Sequence, residues 1–158
     1  MADKLVPSQD DTGAIRRFRD MADGTFAEVV SVAAGAAGAA GYPTGATPVA
    51  ATANGTNATI TATLPAAVGK TTYITGYQVS GGSPTAASLI SATLSGVIGG
   101  PHPVFFTGQA QPLNTAPLVI AFNPPIPASA VNTAISVAAS AFGAGSATQQ
   151  VSVQGFQL

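Results

Sequence analysis

The 158-residue chain contains no cysteine and no tryptophan. Without cysteine it has neither a disulfide framework, nor thiol chemistry, nor a Cys-ligated zinc site. Charge is scarce as well. Asp, Glu, Lys and Arg make up 7% of the residues, against roughly a quarter in an average soluble domain. Five Lys and Arg and a net charge of −1 exclude an electrostatic nucleic-acid binder, because neutralising phosphates takes clustered cations. Long apolar runs are missing too. Hydrophobic residues reach 46%, but Gly, Pro, Thr, Ser, Asn or Gln interrupt every window after Glu28 of the roughly 20 residues a spanning helix needs. The start, Met1-Ala2-Asp3-Lys4, runs into Pro7, Asp10 and Asp11, so no cationic beginning leads into an apolar stretch. No membrane partner is expected, and synthesis is expected in the cytoplasm.

The charge that is present is confined to one end. Asp3, Lys4, Asp10, Asp11, Arg16, Arg17, Arg19, Asp20, Asp23 and Glu28 all precede residue 29; after it come only Lys70 and His102. A freely diffusing domain ordinarily uses surface charge to stay soluble and apart from its neighbours. A subunit held in an assembly gains from an uncharged surface, because burying charge at an interface is costly. The polarity of this chain points to the second case.

Three regions follow. Residues 1–32 form an N-terminal arm with a β-hairpin over 14–32. Asp23-Gly24 supplies a two-residue type I′ turn, where both central positions take positive φ. Centring the turn there sets Phe26 opposite Met21, Glu28 opposite Arg19 and Val29 opposite Phe18. Residues 33–56 open on Ala-Ala-Gly triplets, fit neither helical nor strand period, and are expected to be a linker. Residues 57–158 carry the pattern of an all-β domain. Ile60, Ala62 and Leu64 alternate with threonines, and Ile90, Ala92 and Leu94 alternate with Ser and Thr. Thr72–Ser80 places Tyr73, Tyr77 and Val79 on one face and Ile74 on the other. A strand over 117–122 is expected to stop at Asn123-Pro124-Pro125. In the last strand Gly155 separates Val151 and Val153 from Phe156 and marks a bulge. Seven or so short strands with Gly/Pro turns predict a β-sandwich, jelly-roll-like.

Chemistry is hard to place on this domain. Glycosidase or protease action needs paired carboxylates or a nucleophile with its base, and no Asp or Glu follows Glu28. The chain is therefore not expected to be an enzyme, and no cofactor is expected. His102, between Pro101 and Pro103, reads as a loop histidine, since a metal ligand requires partners the domain lacks; no metal site is expected. Asp10 and Asp11 lack calcium-loop spacing.

Two stretches carry a resemblance. Arg19-Asp20-Met21-Ala22-Asp23-Gly24-Thr25-Phe26-Ala27-Glu28-Val29-Val30-Ser31-Val32 resembles a segment recurring near the N-terminus of tailed-bacteriophage virion proteins. The run Asn132-Thr133-Ala134-Ile135-Ser136-Val137, with Gly143-Ala144-Gly145 and Val151-Ser152-Val153-Gln154-Gly155-Phe156-Gln157-Leu158, is similar to the closing strands of phage β-sandwich proteins that decorate or cement capsids. The resemblance implies a structural virion protein on the capsid surface, a homotrimer that clamps adjacent capsomers through the major capsid protein. Arg16, Arg17, Phe18, Arg19, Asp20, Phe26 and Glu28 are then the expected docking residues, Arg being suited to interface ion pairs. The alternative is a head fibre or tail protein whose β-domain binds a host-surface glycan, with Tyr73, Tyr77, Phe105 and Phe106 as its stacking surface.

Overall fold

The computed structural model describes residues 8–9, 15–20, 26–29, 42–113 and 115–158. Every regular element among them is a strand. The chain divides into two compact units, Met1–Ala37 and Gly38–Leu158. The expected start of the linker, 33–41, lies outside the described residues.

In the first unit, β1 (Ser8–Gln9), β2 (Ile15–Asp20) and β3 (Phe26–Val29) form a three-stranded sheet in that order. The hairpin register differs from the one the turn signal suggested. Asp20 pairs with Phe26, Arg19 with Ala27, Phe18 with Glu28 and Arg17 with Val29. An odd number of residues separates Asp20 from Phe26, whereas a two-residue turn at Asp23-Gly24 demands an even one. Arg19 and Glu28 are therefore not direct cross-strand partners, and every pairing moves by one position.

The second unit holds β4 (Thr47–Gly55), β5 (Ile60–Leu64), β6 (Thr72–Gly81), β7 (Ser88–Ser95), β8 (His102–Gly108), β9 (Leu118–Pro127), β10 (Ile135–Ala139) and β11 (Gln149–Gln157). They make two antiparallel four-stranded sheets. One, the β10 sheet, has the order β5-β10-β7-β8; the other, the β11 sheet, has the order β4-β11-β6-β9. The pairing is nested. β4 pairs with β11, β5 with β10, β6 with β9, and β7 with β8.

The inward side chains of both sheets meet in one core. Ile60, Leu64, Ile90, Leu94, Ile135 and Val137 come from the β10 sheet, and Ile74, Tyr77, Val79, Val151 and Val153 from the β11 sheet. Phe142 in the β10–β11 connection is fully buried among them. Each buried aliphatic of this size contributes about 1.5–3 kcal/mol over its exposed state, which compensates for a domain with almost no ionic contacts to call on. Threonines 61 and 63 face out between buried Ile60, Ala62 and Leu64, as the alternation requires.

Three expectations need correction. Residues 47–55 are strand β4, not linker: Val49, Ala51 and Ala53 turn inward and pack on the core. Their alternation is real, but alanine carries so little apolar weight that it does not stand out from the Ala-rich stretch before it. β9 does not stop at the prolines but runs to Pro127. It is an edge strand, where a missing N–H breaks no second ladder, and its register with β6 shifts between Ile74 and Gly76. Ala121 pairs with Gly76 and Ile126 with Ile74, so residues 122–125 bow out of the ladder. The same irregularity, matched by a shift between Gln154 and Gly155 on β11, overturns the parity read for β6. Ile74, Tyr77 and Val79 all point into the core, and Tyr73 lies on the outer face with Phe156.

Strands β4, β6, β8 and β10 begin at the end of the domain that carries Lys70, where β11 finishes. The 65–71, 96–101 and 128–134 connections are tied together there. Asn132 N–H donates to the Lys70 carbonyl at 3.0 Å, Ser129 N–H to Gly96 at 2.9 Å and Ile98 N–H to Pro127 at 3.1 Å. Gly96 takes φ +82°, and a β-carbon there would collide with the Ala134 carbonyl oxygen, so this tight approach needs glycine.

Candidate functional site

The four aromatic residues expected to form one stacking surface are separated by the fold. Tyr77 is 4% exposed and packs inside against Phe122, with ring centroids 6.1 Å apart. Burial pushes its phenol above the ordinary value of about 10. Phe106 turns inward and meets Phe142 edge-on at 5.9 Å. Phe105, the next residue on β8, is 61% exposed on the outer face of the β10 sheet. Tyr73 is half-buried on the outer face of the β11 sheet. Of the four, Tyr73 and Phe105 face outward, and they belong to different sheets.

His102 opens strand β8 rather than lying in a loop, and it is exposed opposite Leu94. Among the described residues, no group of three or more His, Asp or Glu is placed to hold a metal ion. The expected docking residues Arg16, Arg17, Phe18, Arg19, Asp20, Phe26 and Glu28 fall on β2 and β3. Nothing beyond their strand register is described.

A different cluster forms on the outer face of the β11 sheet. Phe156, 3% exposed, stacks on Tyr73 with centroids 4.9 Å apart and planes 10° apart. Tyr42 also packs on it, at 5.5 Å with a 57° tilt. The three residues are 114 positions apart at the extremes (156 − 42), and the register explains why they meet. β11 lies between β4 and β6, with Phe156 opposite Pro48 on one side and Tyr73 on the other. The bowed segment of β9 adds Pro124 and Pro125 as a wall. Together with Pro43 and Thr75 these side chains line a cleft of about 530 Å³.

The backbone at this point tolerates no side chain on β11. A β-carbon at Gly155 would collide with the Tyr73 carbonyl oxygen. On β6, a β-carbon at Gly76 would sit 2.7 Å from the Ile120 carbonyl oxygen. Thr75, the extra residue of β6, donates its hydroxyl to the Gln154 carbonyl at 3.1 Å. The two glycines and Thr75 let the strands close on an irregular register, and that register turns Tyr73 and Phe156 to the same side.

Away from the cleft the same face is uncharged and polar. Thr52 and Ser152 share a hydrogen bond of 3.2 Å, and Gln150 donates to Asn54 at 2.9 Å. A shallow depression of about 240 Å³ lies over Gln78, Ser152, Gln154 and Val119. A wider one of about 820 Å³, lined by Asn54, Ser80 and Gln150 among others, opens at the far end. Beneath that end, buried Gln149 fixes two segments: its side-chain NH₂ donates to the Ala58 carbonyl, and its Oε1 accepts from Phe142 N–H at 3.3 Å. Lys70 donates to the Thr47 hydroxyl at 3.0 Å at the other end of the face.

Sequence reading missed this cluster because Tyr42 sat in the expected linker and the prolines were read as a stop. Phe156 on the opposite parity from Val153 was the visible signal. No family model matches the chain, and neither a curated protein nor a solved structure is similar to it.

Proposed function

We propose that the chain is a structural subunit of a tailed-bacteriophage virion, a decoration or cement protein that binds the capsid exterior as a homotrimer and ties neighbouring copies of the major capsid protein together. The nested pairing of β4 with β11, β5 with β10, β6 with β9 and β7 with β8 supports a jelly-roll reading of the β-sandwich. It is the pattern of one long antiparallel ribbon wound so that its pairs alternate between two sheets. Such a domain, its two sheets packed on one core, stands as a rigid block on a lattice.

The observation that carries the reading is the partition of charge: ten of the eleven formal charges precede residue 29, and Lys70 alone follows. The charged segment supplies the anchor, with Arg16, Arg17 and Arg19 as its cations and Asp20 and Glu28 as its anions. The β-domain supplies contact without ionic desolvation. Val68 (97% exposed), Ile98 (60%), Val131 (51%) and Leu158 (46%) gather at the Lys70 end, where residues 42–46 lead into β4. That end is the one turned toward the shell. Leu89 and Phe105 on neighbouring strands of the β10 sheet are the surface through which copies pack. Many modest contacts repeated by symmetry then give high avidity without a deep pocket.

Co-sedimentation of the full chain with empty, expanded capsids of the parent phage tests the reading. The chain is expected to pellet with the shells, and the double variant Val68→Asp/Val131→Asp to remain in the supernatant. A wild-type chain that stays in the supernatant at saturating shell concentration overturns it.

A further inference from the structure

We infer that the outer face of the β11 sheet is a binding site for a neutral oligosaccharide, with the Tyr42–Phe156–Tyr73 cleft as its principal sugar subsite. The inference does not depend on the virion reading.

Three observations converge. First, the cleft combines aromatic rings with hydroxyls and excludes charge. Tyr42 and Tyr73 keep part of their surface in solvent around buried Phe156. A pyranose presents an apolar C–H face suited to such rings, while phenol and threonine hydroxyls suit its rim. A volume of about 530 Å³ falls within the range of small-molecule sites, roughly 300–1,000 Å³.

Second, neutrality selects the ligand. No Asp or Glu occurs anywhere in the second unit, and its one formal cation, Lys70, is already bonded to Thr47. A phosphate, an acidic sugar or a charged peptide would lose its hydration here without an ionic partner. A polyol is satisfied by amides and hydroxyls alone.

Third, the face is built for a chain rather than a single ring. The three depressions of about 530, 240 and 820 Å³ follow one another along β4, β11 and β6. Nine-residue β4 and β11 make the face about 30 Å long at about 3.3 Å per residue. Between the cleft and the far depression, Gln78 and Gln154 are exposed, and their side-chain amides have no hydrogen-bond partner among the described residues. Side-chain amides offer both donors and acceptors, which is what alternating sugar hydroxyls require.

The experiment uses the purified full chain on an array of neutral and anionic glycans. Saturation-transfer NMR follows, with neutral hexasaccharides of glucose and of N-acetylglucosamine and a proline decapeptide as the probes. We expect retention of neutral glycans only. Tyr42→Ala and the exposed double variant Gln78→Ala/Gln154→Ala should each weaken binding at least tenfold with the thermal melt of the β-domain retained. Thr63→Ala, exposed on the opposite sheet, should leave it unchanged. Failure to bind any neutral glycan at millimolar concentration overturns the inference. So does a preference for anionic glycans, binding of the proline peptide in place of sugar, or sugar binding that neither variant weakens.

Discussion

The two sheets of the β-domain share one core yet show the outside different surfaces. The β10 sheet turns out short hydroxyl side chains, Thr61, Thr63, Ser91 and Thr93, interrupted by Leu89 and Phe105 on adjacent strands. The β11 sheet turns out amides and hydroxyls that lead to a cluster of three aromatic rings and three prolines. The difference originates in backbone regularity. The ladders of β10 with β5 and with β7 run without a register shift, so the β10 sheet keeps strict alternation. The β11 sheet carries shifts at Gly155 and at Gly76, and each re-aims the side chains that follow. A regular sheet makes a plain wall; an irregular one makes a shaped recess. On the proposed readings, one uncharged domain presents an assembly surface and a recognition surface back to back.

The comparison is broken most severely at the bulge itself. Gly155→Ala places a methyl group against a backbone oxygen that cannot move without parting β11 from β6. It should cost about 3–5 kcal/mol, in the range of the largest single-residue effects, read by chemical denaturation. Gly45→Ala is the control: Gly45 has a left-handed φ of +83°, which Gly155 does not, and open space around it, so only the conformational penalty of about 1–2 kcal/mol applies. Equal losses at the two positions would mean that the close approach at Gly155 is unimportant.

Buried Gln149 comes next. Gln149→Ala leaves the Ala58 carbonyl and Phe142 N–H without the partner that spans them, and an unsatisfied buried group costs about 1–3 kcal/mol. The loss should appear in the melting temperature, together with faster amide exchange at Phe142.

The two outer faces are then compared directly. Tyr73→Ala removes a stacked ring and should cost about 1–2 kcal/mol, combining the aromatic pair term with lost burial. Phe105→Ala, at an exposed position of the other sheet, should change the stability of dissociated chains by no more than about 0.5 kcal/mol. The reverse order would show that the β10 face, not the β11 face, holds the structured aromatic contact.

The smallest effect is that of pH. With no carboxylate side chain in the second unit, acid has little to titrate, and the melting temperature should be nearly level from about pH 5 to 9 on ordinary side-chain pKa values. Tyr77 is raised by desolvation, so the folded state holds its proton more tightly than the unfolded one. The sign follows: this stabilisation is complete below about pH 10 and declines as pH climbs from there through the raised folded value. Tyr77→Phe should flatten that alkaline decline.

Much of the strand content was legible from alternation. Ile60-Ala62-Leu64 and Ile90-Ala92-Leu94 stand out because large apolar residues alternate with Thr and Ser, and their burial is as the pattern requires. β4 was hidden because its inward positions are Val and Ala, which a local window cannot tell from an Ala-rich tether. The parity of β6 was misread because one extra residue, Thr75, lies between Ile74 and Gly76, and nothing local announces it. The hairpin register failed for a related reason: Asp-Gly is a strong turn signal, but pairing of β2 with β3 is set by whole-strand contacts. The aromatic cleft was beyond sequence reading because Tyr42, Tyr73, Pro124 and Phe156 come from four segments. Only the position of β11 between β4 and β6 brings them together.

The account rests on an uncharged β-domain made to sit among neighbours, and sedimentation equilibrium of the purified full-length chain tests that most directly. The mass should be three times that of the 15.4 kDa chain and unchanged by added sodium chloride, because contacts made by Leu89 and Phe105 contain no ion pairs to screen. A chain that remains a monomer at every concentration and salt level contradicts the account.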